Sequence, residues 1–120
     1  MNVPPEDPEL LIVAAARPTM ARLLEGLDQH GIRADLVQEL DQARETFLAR
    51  GGHRLLILAP DLEPGRARQI SRSLAVVDPD LPVLSFGDGR AQLPTGARWV
   101  QYHPSSRAAV GAVLKALHEL

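Results

Sequence analysis

The side chains able to do chemistry are few in this sequence. Four histidines, His30, His53, His103 and His118, show no metal-ligand spacing, so no zinc site is expected. Cysteine is absent, which removes disulfides, thiolate metal sites and cysteine nucleophiles. No G-x-S-x-G and no G-x-x-x-x-G-K-[ST] occurs, and no glycine-rich loop follows the first apolar run, so nucleophile elbow, P-loop and dinucleotide fingerprint are all missing. Asp61 and Asp88 lie just past apolar runs; each is either a reactive acid or an ordinary turn residue. His103 could act as a base, an anion ligand or a pH switch, or simply as a polar residue lining a pocket. Arg66, Arg68 and Arg72, with Arg17, form either a basic rim for an anionic nucleotide or an acidic partner, or a solvated helix face. Trp99 and Tyr102 suit either a binding hot spot or the cover of a gap.

The rest of the composition agrees with this scarcity. In 120 residues, 45% are apolar and 23% charged, which is close to a globular average and excludes collagen and disorder. The length fits one domain and one core. Thirteen basic and fifteen acidic residues give a net charge of −2, which argues against a nucleic-acid surface. No apolar run approaches the ~20 residues that span a bilayer. The start, Met1 to Asp7, is acidic and proline-rich where a secretory leader needs a basic segment. A cytoplasmic chain without enzymatic activity, metal or cofactor is expected, with no membrane and no direct nucleic-acid partner.

The elements that must position these residues follow from periodicity. Residues 1–9 read as a flexible lead-in, and 10–120 as one domain. Leu10 to Ala14 is a short buried strand. Pro18 suits a first helical turn, Met20, Leu23, Leu24 and Leu27 share a face, and Gly31 stops that helix. Ile32 to Val37 is a weaker strand. Glu39 to Arg50 is a second helix, stopped by Gly51-Gly52. Leu55 to Ala59, wholly apolar, demands burial on both faces, as in a parallel sheet covered by helices. A third helix uses Ala67, Ile70, Leu74 and Val77. Leu81 to Phe86 and Arg98 to Tyr102 are strands four and five. Ser105 or Ser106 caps a last helix with Val110, Val113, Leu114 and Leu117 on its face. Alternating strands and helices give a parallel, doubly covered sheet with right-handed crossovers. The expected fold is α/β and flavodoxin-like, a three-layer (βα)5 sandwich with five parallel strands. Ligands in that class sit beyond the carboxyl ends of the strands.

At those ends the pattern resembles the receiver domain of bacterial response regulators, over residues 10–120. Leu11-Ile12-Val13-Ala14-Ala15 resembles the family's first strand, Leu55-Leu56-Ile57-Leu58-Ala59 its third, and Leu81-Pro82-Val83-Leu84 its fourth. Gly96-Ala97-Arg98-Trp99-Val100-Gln101-Tyr102-His103-Pro104 resembles the fifth strand and its Lys-Pro ending. The resemblance implies sheet order 2-1-3-4-5 and a cis bond before Pro104. It puts the family's acidic pair on Ala14 and Ala15, the phospho-acceptor on Ala59, the hydroxyl residue on Gly87, the lysine on His103 and the aromatic switch residue on Val100.

Those substitutions abolish the family chemistry. Mg²⁺ needs carboxylate oxygens, and an acyl phosphate needs a carboxylate nucleophile; methyl groups supply neither. Only eight residues, Asp88 to Thr95, separate Gly87 from Gly96, so the family's fourth helix should be shortened or missing. The resulting expectation is a degenerate, non-phosphorylatable receiver, with Ala14, Ala15, Ala59, Gly87 and His103 as its altered pocket. It would act by protein–protein contact in bacterial signalling or transcription control. Trp99, Val100 and Tyr102 are the candidate interface, and a regulatory protein or a second copy the partner. The alternative is a sensor for an anion or nucleotide held near His103 and Arg17.

Overall fold

The computed structural model describes residues 8–87, 97–100 and 103–120. Five strands, β1 (Leu10–Val13), β2 (Ala34–Val37), β3 (Leu55–Leu58), β4 (Val83–Phe86) and β5 (Arg98–Val100), form one parallel sheet in the order 2-1-3-4-5. Four α-helices accompany them among the described residues: α1 (Ala21–Gln29), α2 (Leu40–Ala49), α3 (Pro64–Val77) and α4 (Arg107–His118). The flavodoxin-like architecture read from periodicity is therefore the one adopted. The segment expected to hold a shortened extra helix, 88–96, lies outside the described residues, as do 101 and 102.

Strand alternation divides the core between two faces. Leu10 and Ile12 of β1, with Leu55 and Ile57 of β3, pack against Leu23 and Leu27 of α1 and Ala109 and Val113 of α4. Leu11 and Val13, with Leu56 and Leu58, pack against Phe47 of α2 and Ile70 and Leu74 of α3. β1, β3 and β4 are buried throughout, which is why their sequences are continuous apolar runs. Burying each such side chain contributes about 1.5–3 kcal/mol.

Several boundaries shift for identifiable reasons. The first helix opens as a 3-10 turn, Arg17–Met20, in which Pro18 sets the backbone and lacks an amide that would need a partner. α3 starts at Pro64, earlier than its apolar stripe, because proline suits a first helical position. Strand β4 starts only at Val83, after Pro82. α4 is capped by Ser106, whose Oγ accepts from the Ala108 amide at 3.2 Å. α1 and α2 end on Gly31 and Gly51, at φ 72° and 74°, a region closed to most side chains. No helix among the described residues is long and apolar enough to cross a membrane.

Candidate functional site

The parallel register sets Val13 beside Leu58, so the chain leaves β1 and β3 side by side. Ala14 and Ala59 follow directly and turn their methyl groups into the core, at 0% and 3% exposure. Their amides continue the ladder: Ala14 donates to the Val37 carbonyl at 3.1 Å, and Ala59 to Val13 at 2.9 Å. Ala15 is exposed just beyond. Gly87 closes β4 and donates its amide to the Val100 carbonyl at 2.9 Å. His103 lies past the end of β5 and is exposed.

The residue that organises this end of the sheet is Asp61. Its carboxylate reaches from the β3–α3 loop to the β1–α1 loop. Oδ1 accepts from the Ala15 amide at 3.0 Å; Oδ2 accepts from the Ala16 amide at 2.9 Å and the Thr19 hydroxyl at 2.8 Å. On the other side of the same peptide, Gln38 Nε2 donates to the Ala15 carbonyl at 3.1 Å. The amides that open the 3-10 turn have no intrahelical partner, and a carboxylate supplies one with charge assistance. Asp61 thus works as a tie between two loops. Nothing local announces this role, since it depends on a partner 45 residues away. Asp88 lies outside the described residues.

His103 is also engaged. Its Nδ1 accepts from the Ser105 amide at 3.1 Å and lies 2.7 Å from the Ser105 hydroxyl. The Ser106 amide donates to the His103 carbonyl at 2.9 Å, closing a turn with Pro104 second. Proline at that position belongs to turns with a trans bond, whereas a cis proline sits third. Accordingly no peptide bond among the described residues is cis, which corrects the cis bond implied before Pro104.

The arginine rim divides. Arg17 donates Nη1 to the Leu36 carbonyl at 3.3 Å on β2. Arg66 joins Ala15, Gln38, Glu39 and Gln42 around a cavity of about 210 Å³. Neither His103 nor Arg17 lines that cavity, so the pair named for an anion sensor does not converge there. Arg68 and Arg72 face a separate groove between α2 and α3. Of the candidate interface, Trp99 is 36% exposed, Val100 packs into the core, and Tyr102 lies outside the described residues. Among the described residues no cluster of three or more His, Asp and Glu side chains could hold a metal ion.

One cluster had no sequence signal. At the opposite end of the sheet, Asp35 of β2 accepts from Arg50 at 3.1 and 3.2 Å and lies 2.8 Å from His53 Nε2. The His53 ring is fully buried and stacks on Phe47, with centroids 5.6 Å apart. Burial raises the Asp35 carboxyl, but the hydrogen bonds and charge of Arg50 and His53 outweigh it and hold the carboxyl below its ordinary value of 3.8. The group fastens the edge strand to the start of β3. Its members are 15 and 18 residues apart, a spacing with no recognisable motif.

The fold has clear relatives among solved structures. One is in a complex of the histidine kinase ThkA with the response regulator protein TrrA: TM-score 0.72, 16% identity, 92% of this chain and 97% of the matched chain. Another is a CheY-like response regulator receiver domain from Methylobacillus flagellatus, with TM-score 0.70, 16% identity and coverage of 92% and 98%. A third is the N-terminal domain of a response regulator/sensory box/GGDEF three-domain protein from Carboxydothermus hydrogenoformans, with TM-score 0.65, 14% identity and coverage of 92% and 94%. No protein-family model and no curated protein matches the sequence. At these identities the likeness is one of fold, and the fold is that of receiver domains.

Proposed function

We propose that the chain is a receiver-like binding module in bacterial signal transduction that works without phosphorylation and without catalysis. The observation that carries this reading is the Asp61 tie. Where the resemblance expects two carboxylates and a phospho-acceptor, the chain has the methyl groups of Ala14, Ala15 and Ala59. Its nearby carboxylate already accepts three hydrogen bonds within the protein. A carboxylate so engaged has reduced nucleophilicity, and no neighbouring acids supply the oxygen ligands Mg²⁺ requires. Gly87 and His103, one without a side chain and the other held by Ser105, offer no hydroxyl or ammonium to a phosphoryl group. What remains is a rigid scaffold that presents surfaces, in a cytoplasmic setting, to a regulatory protein or a second copy.

Incubation with acetyl phosphate, or with beryllofluoride and Mg²⁺, tests this. The expected result is an unchanged mass and an unchanged melting temperature. A stable phosphoryl adduct on any aspartate would overturn the reading.

A further inference from the structure

We propose that the groove between α2 and α3 binds an acidic, amphipathic helix of a partner protein. This rests on the reading of the chain as a binding module and names a surface and a partner chemistry for it.

The groove has a volume of about 560 Å³ and is lined by Leu40, Gly65, Arg68, Gln69, Arg72 and Val76, with Ser73. Arg68, Arg72 and Val76 follow each other at four-residue spacing, so they form one ridge along α3. Val76 is 84% exposed, and Leu48 and Val77 nearby are 57% and 46% exposed. The floor is open at Gly65, where an added Cβ would meet nothing within 4 Å. This is the shape of a helix-in-groove site, with apolar anchors framed by charge.

Charge selects the occupant. The fourteen residues of α3 include three arginines and no acid, in a chain whose net charge is −2. Arg66, Arg68 and Arg72 make no hydrogen bond or ion pair among the described residues. Two of them, Arg66 and Arg68, lie near the amino end of α3, where the helix dipole disfavours cations. Local rules broken without a compensating contact mark places where something other than stability is being served. A partner helix with carboxylates one turn apart would meet Arg68 and Arg72 together, and its apolar residues would cover Leu40 and Val76. Exposed ion pairs alone are worth little, so the apolar contact is needed for affinity and the arginines for orientation and choice of partner. A nucleic acid is disfavoured because the lining is partly aliphatic and the positive patch is small.

The test is an amide-resonance titration of the isotope-labelled chain with a helical peptide carrying two glutamates one turn apart and leucines on the same face. Shifts should cluster at Leu40 and residues 65–76. Binding should weaken about tenfold for the glutamine version of the peptide and for the double variant R68E/R72E. The double variant should instead prefer a lysine version of the peptide. Gly65→Phe, which fills the groove and leaves every charge in place, should also abolish the shifts. Equal binding of the glutamine peptide, or shifts centred elsewhere, would overturn the proposal. So would groove shifts produced only by duplex DNA, or only by self-association seen in sedimentation. Phosphorylation is read by mass and docking by amide shifts, so either idea can fail without the other.

Discussion

Asp61 shows how one side chain can settle the state of a site. Its carboxylate receives two backbone amides and one hydroxyl, all from the loop after β1. Hydrogen bonds to a charged group contribute about 1.5–3 kcal/mol each at most, and solvent exposure reduces that here. Asp61→Ala is therefore expected to destabilise the fold by about 1–3 kcal/mol in urea unfolding, with Asp61→Asn costing less because it keeps one acceptor oxygen. An unchanged midpoint in both variants would show that the tie contributes nothing. The sequence placed Asp61 in a turn between Pro60 and Pro64, and it is in one. Its function as a strut was not legible, because the amides it serves are brought near only when β1 and β3 pair.

At the scale of elements, the packing of α1 on α4 depends on a missing side chain. A methyl group built on Gly26 would overlap Cγ2 of Val110, so the two helices approach as closely as they do because position 26 has no Cβ. Overpacking of this kind costs about 1–3 kcal/mol, while alanine in place of glycine inside a helix gains about 0.5–1 kcal/mol. Gly26→Ala should thus lower stability by roughly 1 kcal/mol in the native background and raise it when combined with Val110→Ala, apart from the cost of that truncation. A double-mutant cycle in denaturant measures the coupling, and additive effects would refute a direct clash. Apolar periodicity gave the faces of both helices correctly, since Leu23, Leu27, Ala109 and Val113 are all in the core. It did not reveal that a glycine in mid-helix marks their crossing.

At the scale of the molecule, the Asp35, Arg50 and His53 group joins the edge strand β2 to the helix and loop that lead into β3. The Asp35 carboxyl is lowered from 3.8 in the folded chain. A group of that kind stabilises the fold above its unfolded value, and the contribution disappears as pH falls through the folded value. Stability should therefore fall as the solution is acidified below about pH 3.8, and Asp35→Asn should flatten that part of the profile while lowering stability at neutral pH. Chemical denaturation across this range is the measurement; an acid limb of the same slope in both proteins would remove Asp35 from the account. His53 Nδ1, buried with no partner among the described residues, shows that the group was accommodated at some cost.

The order of strands and helices, the two-faced core and the receiver architecture were written in the chain itself. Period-two and continuous apolar runs, helical stripes, and proline, serine and glycine at element ends are local signals, and each acts within a few residues. The absence of carboxylates at Ala14, Ala15 and Ala59 was equally plain, because it needs only the strand ends to be found. Tertiary structure decided the rest. It set Asp61 across from Ala15, buried His53 against Asp35, divided the arginines between a cavity and a groove, and turned Val100 inward while leaving Trp99 at the surface. Such contacts join residues tens of positions apart, and their partners are chosen by how the layers pack, which no short stretch of sequence encodes.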